Sequence, residues 1–493
     1  MPKTLTTRSA KKGFNHSSSN KEVDLVAENQ PLSEYELKRL KRIEENKAVL
    51  KSLNIIQAKE ELNQLQKRKT TTTSRQVKSK VVNPLPSRRS ARLQERLSSY
   101  VEIPDNSFSH HYSAPLGYAD EHPSKPDGPI DIVCVSEVEP ENETAFKTTF
   151  LSALKSPISI SAEMRKEFSE DVDLSNLEIN QIEKVTKDRI FSLAVAPATE
   201  KTFVLAGDKW GKIGIWDTEG DDIHLYEPHS RPVSAIVFNQ EESLTKFYSS
   251  SYDGTLRACD LEKGVFDQLI RLDYAMTACS VRGRSLLVGL EDGSMITVDC
   301  RQQVSSNQTW KNIAHKSIKC VSVNPVNDNY FAVSSSDRSV GIWDIRNIRT
   351  TGTPRALVQK INTFPRTVTS AKYSPISGNK LLTTSLDNQI RVYRSDTPGG
   401  QLAVEHQFYH NNHVGRWLTN FRAEWDPKCD FRFVCGSMST PRQIDLFSIC
   451  GNVRSMYSVV DEAQTSVCSL VKYHPTQHVL FGANSSGKVF IWK

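Results

Sequence analysis

From residue 208 to the C-terminus, apolar and polar positions alternate in short runs, and the runs recur as copies of one design. Each copy opens on a small or charged residue in a turn, continues with alternating apolar residues, and ends six positions later on an aromatic residue or its stand-in. SSDRSVGIWDIR around Asp337 and Trp343, SYDGTLRACD around Asp253 and Cys259, and TSLDNQIRVYR around Asp387 and Tyr393 are the clearest. GDKWGKIGIWD, GLEDGSMITVD, GSMSTPRQIDLF and ANSSGKVFIW are weaker copies. The final positions are Trp216, Cys259, Val298, Trp343, Tyr393, Phe447 and Trp492, with gaps of 43, 39, 45, 50, 54 and 45 residues. Period-two alternation predicts strands. A unit this short cannot bury two apolar faces alone, so neighbouring units must cover each other.

Spacing and frame together resemble the WD repeat, in which each copy is one four-stranded propeller blade. The expected fold is all-β: a seven-bladed propeller over residues 177–493, preceded by a basic N-terminal region. Trp492 ends the third strand of the seventh copy, so the outer strand of that blade must come from elsewhere. LEINQIEKV, residues 177–185, alternates apolar and polar just ahead of the first blade. It is expected to close the ring and cover an open sheet edge.

Charge divides the chain in two. Residues 1–100 hold 22 Lys and Arg against 10 Asp and Glu, a net of +12, which leaves −6 for the remainder of a chain with a total of +6. A basic arm on a mildly acidic ring points to a polyanion partner, nucleic acid ahead of an anionic membrane surface, with a solvated tail as the plain alternative. Within the arm, residues 1–30 are polar and expected to be disordered. A helix is expected near 33–68, with Ser33 and Glu36 at capping-box spacing and Leu37, Leu40, Ile43, Leu50, Leu53 and Ile56 at helical intervals. Its stripe is assigned either to the ring or to a partner. KRKTTTTSRQVKSK and PLPSRRSARLQERL suit nuclear import or phosphate contact. Residues 101–176, with Pro104, Pro115, Pro123, Pro126, Pro129 and Pro140, read as a linker able to lie against the ring.

Other chemistry is sparse. The N-terminus lacks a signal-peptide core and no apolar run reaches membrane-span length, so the expected location is intracellular. Nine cysteines occur without a Cys-x-x-Cys pair, and neither a disulfide nor a zinc site is expected. His406, His410 and His413 cluster without a second ligand set. No nucleophile-and-base pairing or phosphate loop is visible, so the expectation is a protein with neither catalysis nor cofactor.

KDRIFSLAVAP, GIWDIRNIR, TVTSAKYSP, KLLTTSLDNQIRVY and HNNHVGRWLTNFRAEWDP carry a resemblance over residues 186–493 to the WD-repeat small subunit of the UV-damaged-DNA-binding complex. SEYELKRLKRIEENKAVLKSLN followed by SRRSARL extends a closer resemblance over nearly the whole chain, to the fungal DNA-damage-binding WD-repeat family named for changed mutation rate and to its animal WD-repeat relatives. In the UV-damage subunit, DNA crosses one mouth of the ring and a hairpin between blades five and six drives a Phe-Gln-His wedge into the minor groove. The matching stretch here offers Gly415, Arg416 and Trp417 and lacks the Phe. Trp417 either stacks on an unpaired base or begins an inner strand and packs between blades. The resemblance also implies DNA-facing rim positions at Arg189, Lys209, Arg257 and Lys316, and Arg366 sits in a comparable inter-blade loop.

The ending Trp343-Asp344-Ile345-Arg346, with Asp337 upstream, resembles the box by which many propellers dock on the adaptor of cullin-4 ubiquitin ligases; the plain alternative is a structural strand end with a surface Arg. The expected function is that of a nuclear DNA-binding propeller in DNA metabolism and genome maintenance. It is expected to contact single- and double-stranded DNA mostly through phosphates, and to favour UV-damaged or distorted sites where stacking costs less. The rival is a protein-interaction scaffold, a substrate receptor of a cullin-4 ligase or a chromatin-protein adaptor, with only indirect DNA contact.

Overall fold

A computed structural model describes Lys41 and residues 123–136, 139–156, 176–198, 201–220, 222–301, 308–348, 356–397, 399–415, 417–451 and 453–493. The chain divides into two units, Met1–Asn106 and Ser107–Lys493. Lys41 is helical; otherwise the arm, with its expected disorder, helix and basic segments, lies outside the described residues.

Seven antiparallel sheets follow one another along the second unit. Their inner strands are Ile190–Val195, Val233–Phe238, Met276–Arg282, Ile318–Val323, Val368–Tyr373, Glu424–Trp425 and Leu470–Tyr473. The predicted strand ends are buried where the repeat places them, from Trp216 in the first blade to Trp492 in the seventh. Apolar clusters form between blades as the two-faced pattern requires. Phe331 and Trp343 of blade four share one with Leu287 of blade three, and Val204 and Trp216 of blade one share another with Phe481 and Ile491 of blade seven.

The ring closes as expected. Strand Ile179–Lys184 pairs antiparallel with Lys488–Trp492, with Ile182 opposite Phe490, and so becomes the outer strand of blade seven. Gly487, at φ +84°, lets the closing segment approach, because a Cβ there would sit 2.0 Å from the Thr186 carbonyl oxygen. The Thr186 amide donates to the Gly487 carbonyl at 3.2 Å.

The expected linker is partly a structural strap. Ile130–Asp131 adds a fifth strand to blade two, with Ile130 opposite Phe266. A helix follows over Pro140–Lys155, opened by Pro140 with Glu141 and Glu143 in its first turn and Lys155 in its last, in keeping with the helix dipole. Phe146, Phe150 and Leu154, four residues apart, bury one face against Phe203 and the rest of the cluster between blades one and two. Proline spacing alone does not reveal this, because the apolar positions that carry it lie between and beyond the prolines.

Candidate nucleic-acid interface

Neighbouring strands are antiparallel, so one mouth of the ring, here the upper, collects the starts of first and third strands and the ends of second and fourth. Four blades place a basic residue one or two positions ahead of the inner strand: Arg189, Arg231, Lys316 and Arg366. A repeated device holds them. The serine ending the second strand donates its hydroxyl to the carbonyl of the rim residue: Ser251 to Arg231 at 3.0 Å, Ser335 to Lys316 at 2.9 Å and Ser385 to Arg366 at 3.4 Å. In blade one the Lys209 amide takes this role toward the Arg189 carbonyl at 2.9 Å. Equivalent backbone anchoring in these four blades holds the four residues at the same mouth.

Lys316 and Arg366 are exposed. Half-buried Lys209 holds its ammonium 4.2 Å from the centre of the Trp210 ring, and Arg189 lies 4.5 Å over Phe191. The Asp208 carboxyl beneath Lys209 accepts amide hydrogens from Trp210 and Lys212, yet burial pushes it up to about 6. Trp417 is 75 % exposed, in the loop between strands Ala403–Tyr409 and Glu424–Trp425. It therefore does not begin an inner strand, and most of its side chain is exposed. Arg416 lies outside the described residues.

Arg257 requires a correction. It is fully buried in the third strand of blade two, where its guanidinium donates to the carbonyls of Gly128 at 2.8 Å and Pro126 at 2.9 Å and to Gln268 at 3.2 Å. It ties the strap to the blade and is not available to a phosphate. Sequence reasoning missed Arg231, although its signal, a basic residue ahead of the inner apolar run, was present. It also missed Arg338, which is exposed at the tip of the turn after Asp337 with φ +68°. Gly254 and Gly293 hold the corresponding positions after Asp253 and Asp292. An arginine in that conformation costs about 1 kcal/mol relative to glycine.

The four residues of the docking box do not share a surface. Asp337 lies at the upper mouth, where it accepts the Ser339 amide at 3.0 Å and hydroxyl at 2.6 Å and closes the turn. Trp343 is buried in the core and Asp344 is buried at the lower mouth. Only Arg346 is presented. Asp344 grips it through Nε at 3.0 Å and a terminal nitrogen at 2.8 Å, and Tyr330 lies beneath it. The histidine cluster is also dispersed: His406 bonds the Gly451 carbonyl, His410 meets Asp445 at 3.2 Å, and His413 is exposed.

Seven four-stranded repeats closed by a strand from ahead of the first define a WD-repeat β-propeller, and the WD-domain G-beta repeat family model matches residues 220–260 and 306–344. The β-propeller domain of Myceliophteria thermophila Cps50 (Swd1) shares the fold, with a TM-score of 0.51 at 15 % identity over 64 % of this chain and 99 % of that one. The chain is 36 % identical to WD repeat-containing protein 76 of Xenopus laevis over 487 residues, 94 % of this chain and 80 % of that protein. It belongs to the WD repeat-containing protein 76 family. It is also similar to the DNA damage-binding protein CMR1 of Yarrowia lipolytica, 29 % identical over 65 % of this chain and 69 % of that one.

Proposed function

We propose that this chain is a non-enzymatic, nuclear DNA-binding protein of genome maintenance that lays DNA across the upper mouth. The presence of Lys209, Lys316, Arg338 and Arg366 at one mouth of the ring, with the exposed Trp417 in a loop at the same mouth, carries the reading. Separate loops bring these cations to one mouth of the ring, the arrangement that focuses a phosphate backbone. The name of the fungal relatives, DNA damage-binding protein, supports the same partner. Phosphate contacts set general affinity for single and double strands, and Trp417 stacks where bases are unpaired, which favours distorted or UV-damaged sites.

A mobility shift of the full chain on plain, UV-treated and single-stranded DNA tests this. Trp417→Ala is expected to lose about 1–3 kcal/mol on single-stranded or UV-treated DNA and much less on intact duplex, with melting unchanged. Equal losses on all three would remove the stacking role, and no binding by the wild-type chain would remove the function. Arg346 favours a second, compatible reading, docking on a cullin-4 ligase adaptor at the opposite mouth, because its guanidinium is held outward by Asp344. Arg346→Ala should then abolish adaptor co-purification while melting stays put; undiminished co-purification would exclude this contact.

A further inference from the structure

Beneath the upper mouth, two cavities meet end to end. The outer, about 340 Å³, is lined by Arg189, Tyr252, Val414 and Thr419, and the inner, about 290 Å³, runs down between the inner strands; both share Phe191, Lys319 and Arg422. Those three residues form the neck between them. We infer that this neck is a binding site for a phosphate monoester, with Lys319 and Arg422 on its phosphoryl oxygens and Arg189 on the outer side.

The charge balance around the neck carries the inference. Lys319 donates to the Ser317 hydroxyl at 3.1 Å, and among the described residues neither it nor Arg422 has a carboxylate partner. The Arg422 Nε is buried without a hydrogen-bond acceptor. Glu424, two residues beyond Arg422, is engaged by Lys372 and by Lys472 at 2.5 Å. Burial, and then repulsion from Arg422, hold the Lys319 ammonium below the usual lysine range, and the opposing pull of Glu291 is smaller. Two half-buried like charges on one neck repel at a cost, and an anion between them converts that cost into charge-assisted hydrogen bonds.

Shape and charge narrow the class of anion. A duplex cannot enter cavities of about 340 and 290 Å³, and an internal phosphodiester brings two substituents and one charge. A monoester carries between one and two charges at neutral pH and a single substituent, so it enters end-on. The source is either the terminal phosphate of a nucleic-acid strand or a free small phosphate. This site rests on the channel cations and stands independently of DNA on the rim.

The test uses the full chain in phosphate- and sulfate-free buffer. Calorimetry with ribose 5-phosphate should give binding and a raised melting temperature, and ribose should give neither. Lys319→Met with Arg422→Gln should weaken ribose 5-phosphate binding by about tenfold or more. Because it removes a repulsion between two half-buried cations, it should melt no lower than wild type without ligand. Should the double variant not fold, Arg422→Gln alone is expected to carry most of the loss. Two single-stranded oligonucleotides differing only in a 5′-phosphate or 5′-hydroxyl name the source: preference for the phosphorylated strand, lost in the variant, assigns a strand end, and equal affinity alongside ribose 5-phosphate binding assigns a free phosphate. Lys316→Ala with Arg366→Ala separates neck from rim, since it should weaken both oligonucleotides alike and leave ribose 5-phosphate binding unchanged. No wild-type response to ribose 5-phosphate, with equal affinity for both strands, overturns the site.

Discussion

At the lower mouth of the ring, Arg282 pairs with Asp328, Arg301 with Asp299, Arg346 with Asp344 and Lys246 with Asp260, while Arg394 and Lys380 share Glu405. At the upper mouth, Lys212, Lys360 and Arg391 are paired in the same way, but Lys209, Lys316, Arg338 and Arg366 have no carboxylate partner among the described residues. Exposed ion pairs contribute little stability, so this difference says little about folding. What it changes is the field. Paired charges cancel within a few ångströms, whereas uncompensated ones at a concave mouth project toward a polyanion. The net negative charge of residues 101–493 conceals this, because a sum over the sequence is blind to which cations are neutralised locally.

The largest expected effect tests compensation inside the channel. Against the upward push of burial, Lys372 and Lys472 hold the Glu424 carboxyl at about 2, below the ordinary carboxylate value. Glu424 therefore adds stability above its unfolded pKa, near 4.3, and that stability is lost as pH falls through the folded value toward 2. Glu424→Gln leaves two half-buried cations unpaired and should cost about 3 kcal/mol in denaturant unfolding at neutral pH, with a smaller cost in acid. An unchanged midpoint would mean the lower channel needs no carboxylate.

A second substitution separates strap from rim. Arg257→Met should destabilise by about 2–3 kcal/mol, because the Gly128 and Pro126 carbonyls are deprived of a charged donor, and DNA affinity should be unchanged once folding is verified. Selective loss of DNA binding in a folded variant would return Arg257 to the interface.

Arg338→Gly sharpens the contrast further, because the two readings of this residue predict opposite signs. Relief of the left-handed backbone should raise stability by about 1 kcal/mol, while removal of a rim cation should weaken DNA binding. A variant that is stabilised and binds DNA as before would make Arg338 a turn residue only.

Legibility in the sequence followed the same division. The blades could be read because burial repeats: every anchor from Trp216 to Trp492 is buried in a third strand, at or next to its end except for Phe447, and the missing outer strand of blade seven called for a segment like residues 177–185. Rim positions could be read where a cation precedes an inner strand, as at Lys316 and Arg366. Arg257 misled because strand alternation does not disclose that a segment some 130 residues earlier covers that face. Asp337 and Arg346 look like one motif but stand at opposite mouths, separated by the length of strand Val340–Asp344. Lys319 and Arg422 read as ordinary strand and loop polar residues, and only closure of the ring brings blades four and six together around one channel.

The salt dependence of duplex binding by the full chain addresses the unequal mouths most directly. Neutralising Lys209, Lys316 and Arg366 to Ala should flatten the slope of log affinity against log salt by roughly one unit for each phosphate that the rim no longer neutralises. Neutralising Arg282, Arg301 and Arg394 at the lower mouth should leave that slope unchanged. Equal flattening by the two sets, or none from the upper set, would contradict DNA binding at the upper mouth.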